Sequence, residues 1–210
     1  MSQETNIERR TFVCDLSIEK RDDEKESRKV IGYASVFNSL SENLGGFREQ
    51  INRNAFNEVL EDDVRALFNH NPDLILGRTI ANTLNISVDE KGLRYEFDAP
   101  DTTVGNDLLV SLKRGDITQS SFGFIVEEDS WDNDKEGKVI RTIEKVSRLL
   151  DVSPVTYPAY PEASVGKRNF LNYKLDLEKE ENEKQQKDLV WRGLLDLKIK
   201  LLKKSKNAKY

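Results

Sequence analysis

The chain contains one histidine, His70, and one cysteine, Cys14. With a single cysteine, an internal disulfide is excluded and a cysteine-based zinc site lacks its ligand set. That scarcity fits a reducing compartment. With a single histidine, any centre that needs two imidazoles is excluded. A general base that works near neutral pH through an imidazole can only be His70. No apolar run approaches the ~20 residues of a membrane span. The opening Met1-Ser2-Gln3-Glu4-Thr5 is polar and has no secretion-signal core. The sequence therefore reads as soluble and intracellular.

Charge, by contrast, is plentiful: 34% of the 210 residues are charged and 37% are hydrophobic, with a formal net charge of -5. The charge is unevenly placed. Residues 167–210 hold 13 Lys and Arg against 7 Asp and Glu, a surplus of +6, which leaves -11 on residues 1–166. An acidic body is a poor nucleic-acid binder over most of its surface. Only the basic tail could meet a phosphate backbone or an acidic partner. The length suits one domain with an appendage: a loose N-terminus over 1–10, a body over 11–166 and a charged helical extension over 167–210.

Within the body, alternation predicts strands over 11–18, 30–37, 64–70 and 117–126, with one or two more over 139–153. The runs 84–88 and 93–97, joined by Asp89-Glu90-Lys91-Gly92, form the clearest hairpin. Asn54 is placed to cap a short helix over 55–60. A second helix runs from a Thr102 or Thr103 cap to Arg114, with Gly115 just past its end. Pro154, Pro158 and Pro161 impose an extended stretch. The fold class is α+β, mostly β, barrel-like, with two short helices. Residues 175–204 form a long helix with Val190, Leu194, Leu197 and Leu201 on one stripe. Gly193 weakens its middle by about 1 kcal/mol relative to Ala.

Two segments carry candidate chemistry. His70 lies in Phe68-Asn69-His70-Asn71-Pro72-Asp73, at the end of a predicted strand. Ser121 lies in Ser120-Ser121-Phe122-Gly123-Phe124. In a strand Phe122 and Phe124 face the core, so Ser121 faces the other way, exposed beside Gly123, whose missing side chain leaves room for an approaching peptide. Ser120 falls on the Phe face and reads as a structural hydroxyl. A serine hydroxyl becomes an effective nucleophile when an imidazole takes its proton. A third group must hold that imidazole in one tautomer. Asp151, an acid in the apolar run Leu149-Leu150-Asp151-Val152, is the candidate, with Glu144 and Asp116 as alternates. Arg148 and backbone amides near Ser121 are candidate oxyanion donors.

From about Gly32 to Lys167 the chain resembles the prohead maturation protease family of tailed bacteriophages, which is related in fold to the herpesvirus capsid maturation protease, assemblin. The resemblance lies in an ordered series of short stretches. These are Gly32-Tyr33-Ala34-Ser35-Val36-Phe37, Phe47-Arg48-Glu49, Asn54-Ala55-Phe56, Phe68-Asn69-His70-Asn71 and Leu76-Gly77-Arg78-Thr79. Further on come Gly92-Leu93, Val110-Ser111-Leu112-Lys113-Arg114-Gly115-Asp116, Ser121-Phe122-Gly123-Phe124 and Asp151 through Tyr160. The resemblance implies His70 as base and Ser121 as nucleophile. The third position, commonly Glu in that family, is Asp151 here. It also implies an assemblin-like fold, a mostly antiparallel β-barrel flanked by short helices. The implied activity is a serine endopeptidase that needs no metal or organic cofactor. Its substrates would be the major capsid protein or its scaffolding segment, and the protease itself, inside an assembling procapsid in the host cytoplasm. Self-association is implied as well. The rival expectation is a non-catalytic capsid assembly factor with a protease-like body and the 167–210 tail as its tether.

Overall fold

The structure, a computed structural model, describes residues 7–13, 16–19, 27–157 and 164–207. Cys14, Pro158 and Pro161 lie outside the described residues. The elements run in the order β1 (Glu8–Val13), β2 (Ser17–Ile18), β3 (Lys29–Val36), β4 (Phe47–Ile51), β5 (Arg65–Phe68) and β6 (Asn71–Arg78). They continue with a 3-10 turn (Thr79–Ala81), β7 (Asn85–Val88), β8 (Gly92–Asp98), α1 (Thr103–Arg114), β9 (Gln119–Asn133), β10 (Val139–Val155) and α2 (Ser164–Asn207). The chain divides into two compact units, Met1–Lys167 and Arg168–Tyr210. No helix among the described residues is long and apolar enough to cross a membrane.

The first unit is α+β and holds two sheets, one ordered β1-β9-β10-β5-β6 with β4 also on β10, the other β2-β3-β8-β7. The first sheet is mixed, because β10 runs antiparallel to β9 but parallel to β4 and β5. Both hydrogen-bonded orders are open paths, and no closed barrel is found among the described residues. The expected class therefore holds at the level of α+β, and the barrel is not confirmed. Strand β10 is the spine. Its first residues pair with β4, Asp151 and Val152 near its far end with β5, and nearly its whole length with β9.

The core is aromatic at its centre. Phe122 and Phe124 stack at 4.6 Å, and Phe56 meets Phe122 edge-on at 5.7 Å. All three are fully buried, as are Leu93 and Tyr95 from the second sheet. Helix α1 forms as its sequence signals require. The Thr102 side chain accepts from the Gly105 amide, and Gly115 ends the helix at φ 80°. The expected hairpin forms, with Val88 opposite Leu93 and Asn85 opposite Glu96.

Two expectations fail for traceable reasons. The segment after Asn54 is a run of turns, not a helix. Its amides bond three residues back, Asn57 to Asn54 and Val59 to Phe56, because the Ala55 carbonyl accepts from Val146 on β10 at 2.9 Å. A helix would need that carbonyl for Val59. The N-terminus, expected to be loose through residue 10, is strand β1 from Glu8 onward.

A buried ionic cluster locks β1 down. Arg141, fully buried on β10, donates to Glu8 at 2.9 and 3.0 Å, to Glu49 at 2.9 Å and to Asp129 at 2.7 Å. Arg10 donates to Glu49 at 2.5 and 2.8 Å and also pairs with Glu8. Four buried charges, Glu8, Arg10, Glu49 and Arg141, thus satisfy one another out of water, with the half-buried Asp129 at the margin, and removing one member of such a cluster typically costs about 3–5 kcal/mol. Burial pushes the Glu8 carboxyl up, but the Arg141 hydrogen bond and the Arg10 and Arg141 charges outweigh it and hold Glu8 below the ordinary value of 4.5. A depressed carboxyl contributes stability that is complete above its unfolded value and is lost as pH falls through the folded one. Unfolding free energy measured by denaturant titration should therefore drop as pH falls below 4.5, and drop less steeply in Glu8→Gln. Parallel curves for the two proteins would contradict this.

Candidate active site

The site is assembled on one face of the first sheet. Cross-strand partners share a face, as do residues two apart on a strand. In the β9–β10 register Ser121 stands opposite Ser153 and Gly123 opposite Asp151. These four residues therefore share the face away from Phe122 and Phe124, which stack into the core.

His70 arrives from elsewhere. Strand β5 ends at Phe68, which pairs with Asn71, so Asn69 and His70 are the two central residues of a tight hairpin. Both have positive φ, 55° and 57°, the signature of a turn whose twist matches the flanking strands. His70 is thus a turn residue, not the last residue of a strand. A left-handed conformation is costly for a residue with a Cβ. Here the turn is held by β10: the Asn69 amide donates to the Pro154 carbonyl at 3.0 Å, and the Thr156 amide donates to Asn69 Oδ1 at 2.8 Å. The imidazole is thereby carried across β10 to β9.

The three sequence-selected residues are brought together. His70 Nε2 lies 2.6 Å from Ser121 Oγ, and His70 Nδ1 lies 2.5 Å from Asp151 Oδ1. The imidazole bridges the hydroxyl and the carboxylate through its two nitrogens, and all three groups are largely shielded from water. Such a line can move a proton from the hydroxyl to the ring while the carboxylate fixes the ring.

The alternates are elsewhere. Glu144 bonds Asn52 and Ser130, and Asp116 pairs with Arg114 at the end of α1. Arg148 is exposed and stands opposite Ile125, away from Ser121 along β9. Ser120 is buried and bonds the Tyr95 hydroxyl at 2.6 Å, the structural role its place on the Phe face predicts.

Two features depart from the sequence reading. Gly123 does not leave room for a peptide. Its space is filled by Asp151, because a Cβ on Gly123 would collide with Asp151 Oδ2. Ser121 is not exposed but fully buried, and its Oγ donates to the Arg10 carbonyl of β1 at 2.9 Å.

One contributor escaped sequence reasoning. Ser153 is fully buried and donates to Asp151 Oδ1 at 2.7 Å, the same oxygen that faces the imidazole. Its position two residues after Asp151 in a strand was the available signal.

Comparison with known proteins gives one family. The family model described as caudovirus prohead serine protease matches residues 15–176. No curated protein and no solved structure matches significantly. The matched segment contains His70, Ser121 and Asp151 but not β1.

The fit of Asp151 over Gly123 sets a measurable expectation. Gly123→Ala should lower unfolding free energy by about 1–3 kcal/mol, the usual cost of overpacking, and should push the carboxylate away from His70. An unchanged denaturation midpoint would show that the carboxylate has slack.

Proposed function

Since the chain belongs to the caudovirus prohead serine protease family, we propose that it is the endopeptidase of procapsid maturation and that Ser121, His70 and Asp151 are its catalytic residues. The observation that carries this reading is the unbroken hydroxyl–imidazole–carboxylate line at 2.6 and 2.5 Å.

In this mechanism Ser121 Oγ attacks the scissile carbonyl carbon as His70 Nε2 takes the hydroxyl proton. Asp151 accepts from Nδ1–H and stabilises the imidazolium that forms. His70 then returns the proton to the departing amine, leaving an acyl-serine. Water, deprotonated by the same nitrogen, releases the acyl group. Ser153 positions Asp151 by donating to Oδ1. Asp151 is one methylene shorter than the Glu common in the family, and that shortness suits its seat directly over Gly123. The substrates are the major capsid protein or its scaffolding segment, and the chain itself, within the assembling procapsid.

The alternative, a non-catalytic assembly factor, has one observation on its side: the full burial of Ser121. Coexpression with the major capsid protein, followed by intact-mass analysis, separates the two. The protease reading expects truncated capsid protein with the wild type and full-length capsid protein with Ser121→Ala, which should fold normally. Equal truncation by wild type and Ser121→Ala contradicts the assignment of Ser121, and no truncation by either favours the assembly factor. Among active variants, Asp151→Asn should lower kcat by roughly 10⁴-fold, because the imidazole then loses its tautomer control. A loss below tenfold would remove Asp151 from the mechanism.

A further inference from the structure

The strands that lead into the His70 turn do little to fix it. Strand β5 pairs with β10 at only two places, Arg65 with Asp151 and Ala66 with Val152. Its ladder with β6 is irregular just below the turn: Phe68 stands opposite Asn71 but Leu67 opposite Ile75, so residues 72–74 fall out of register. The turn is also strained. Both central residues have positive φ, and a two-residue turn of this kind favours Asn at the first place and Gly at the second. Here the imidazole residue occupies the glycine place. A residue with a Cβ persists in that conformation where its surroundings over-determine it.

Asn69 supplies the missing restraint. Its amide donates to the Pro154 carbonyl at 3.0 Å. Its side chain grips Thr156 at two points: Oδ1 accepts from the Thr156 amide at 2.8 Å, and Nδ2 donates to Thr156 Oγ1 at 3.1 Å. Thr156 directly follows β10, the strand that carries Asp151 and Ser153. The clamp thus refers the imidazole to the same strand as its carboxylate partner.

We propose that Asn69 is the positioning residue of the catalytic base, and that its side-chain clamp on Thr156 sets the His70 ring against Ser121 and Asp151. This deepens the reading of His70 as general base and rests on it.

Asparagine meets two demands at once. It tolerates the left-handed conformation, and its amide offers both an acceptor and a donor. Aspartate would keep the acceptor and lose the donor; glycine would keep the conformation and lose both. The two side-chain bonds are exposed, so water replaces them when they are removed and the fold loses little. The loss falls instead on the ring, whose two contacts, 2.6 Å to Ser121 Oγ and 2.5 Å to Asp151 Oδ1, depend on where the turn sits.

The test uses the folded full-length chain and a fluorophosphonate probe. Ser121 Oγ attacks phosphorus, the P–F bond breaks, fluoride leaves and the hydroxyl proton passes to His70; Ser121→Ala is the control. Asn69→Gly should lower the limiting labelling rate by about 10²-fold, the scale of a catalytic group misplaced by ~1 Å. The half-saturating probe concentration should stay the same, and the thermal midpoint should stay close to that of the wild type. Thr156→Val, which removes only the acceptor of the Nδ2 bond, should cost no more than about tenfold. In a His70→Ala background Asn69→Gly should leave the residual rate unchanged, because it acts only through the ring. Wild-type labelling by Asn69→Gly overturns the inference, and so does an equal loss with and without His70. A fall in thermal midpoint that accounts for the lost labelling assigns the clamp to folding and also overturns it. Absence of Ser121 labelling in every form overturns the catalytic reading of Ser121 and His70, and the inference falls with it.

Discussion

The antiparallel pairing of β9 with β10 fixes the distances of the site. It sets Ser121 opposite Ser153 and Gly123 opposite Asp151, and so puts hydroxyl, carboxylate and supporting serine on one face before any side-chain preference operates. A slip of one residue would turn Ser121 and Asp151 into the aromatic core and Phe122 and Phe124 out of it. The stacked phenylalanines therefore guard the register: the apolar burial that stabilises the fold is the same constraint that aims the polar residues. The imidazole is added afterwards, by a turn that β10 itself holds through Pro154 and Thr156.

Much of this was legible in the chain because it depends on local period. Alternation about Phe122 and Phe124 places Ser121 on the face away from the core, and Asp151 stands out as an acid in an apolar run. Thr102 and Gly115 bracket α1, and Asp89 to Gly92 closes the second sheet's hairpin. Being the sole imidazole made His70 the necessary base of any such site. What escaped depended on partners remote in sequence. The turns after Asn54 follow from a carbonyl taken by Val146. The burial of Ser121 follows from β1, more than a hundred residues earlier, where Arg10 looks like an ordinary charged residue until Glu49 and Arg141 are placed beside it. Whether a sheet curls shut into a barrel is likewise beyond the reach of alternation, since every strand reads the same in an open sheet and a closed one.

The two polar assemblies of the first unit divide the labour across one sheet. On the core side, two arginines and three carboxylates pair with one another and tie β1, β4, β9 and β10 together. On the other side, three groups are arranged around one transferable proton. Buried ion clusters of the first kind often contribute less stability than apolar residues of the same volume would. What they provide is geometry, since an arginine with five donors accepts only carboxylates at fixed angles. Here that geometry decides where one strand of backbone sits against a serine.

The solitary imidazole has a spectroscopic consequence. In most proteins the ring protons of an active-site histidine must be sorted from those of its neighbours before they can be followed. This chain has no others. Every imidazole resonance it gives belongs to His70, so the ring that touches Ser121 and Asp151 is an intrinsic, unlabelled reporter of tautomer and of the nearby backbone, readable without assignment in the full-length protein.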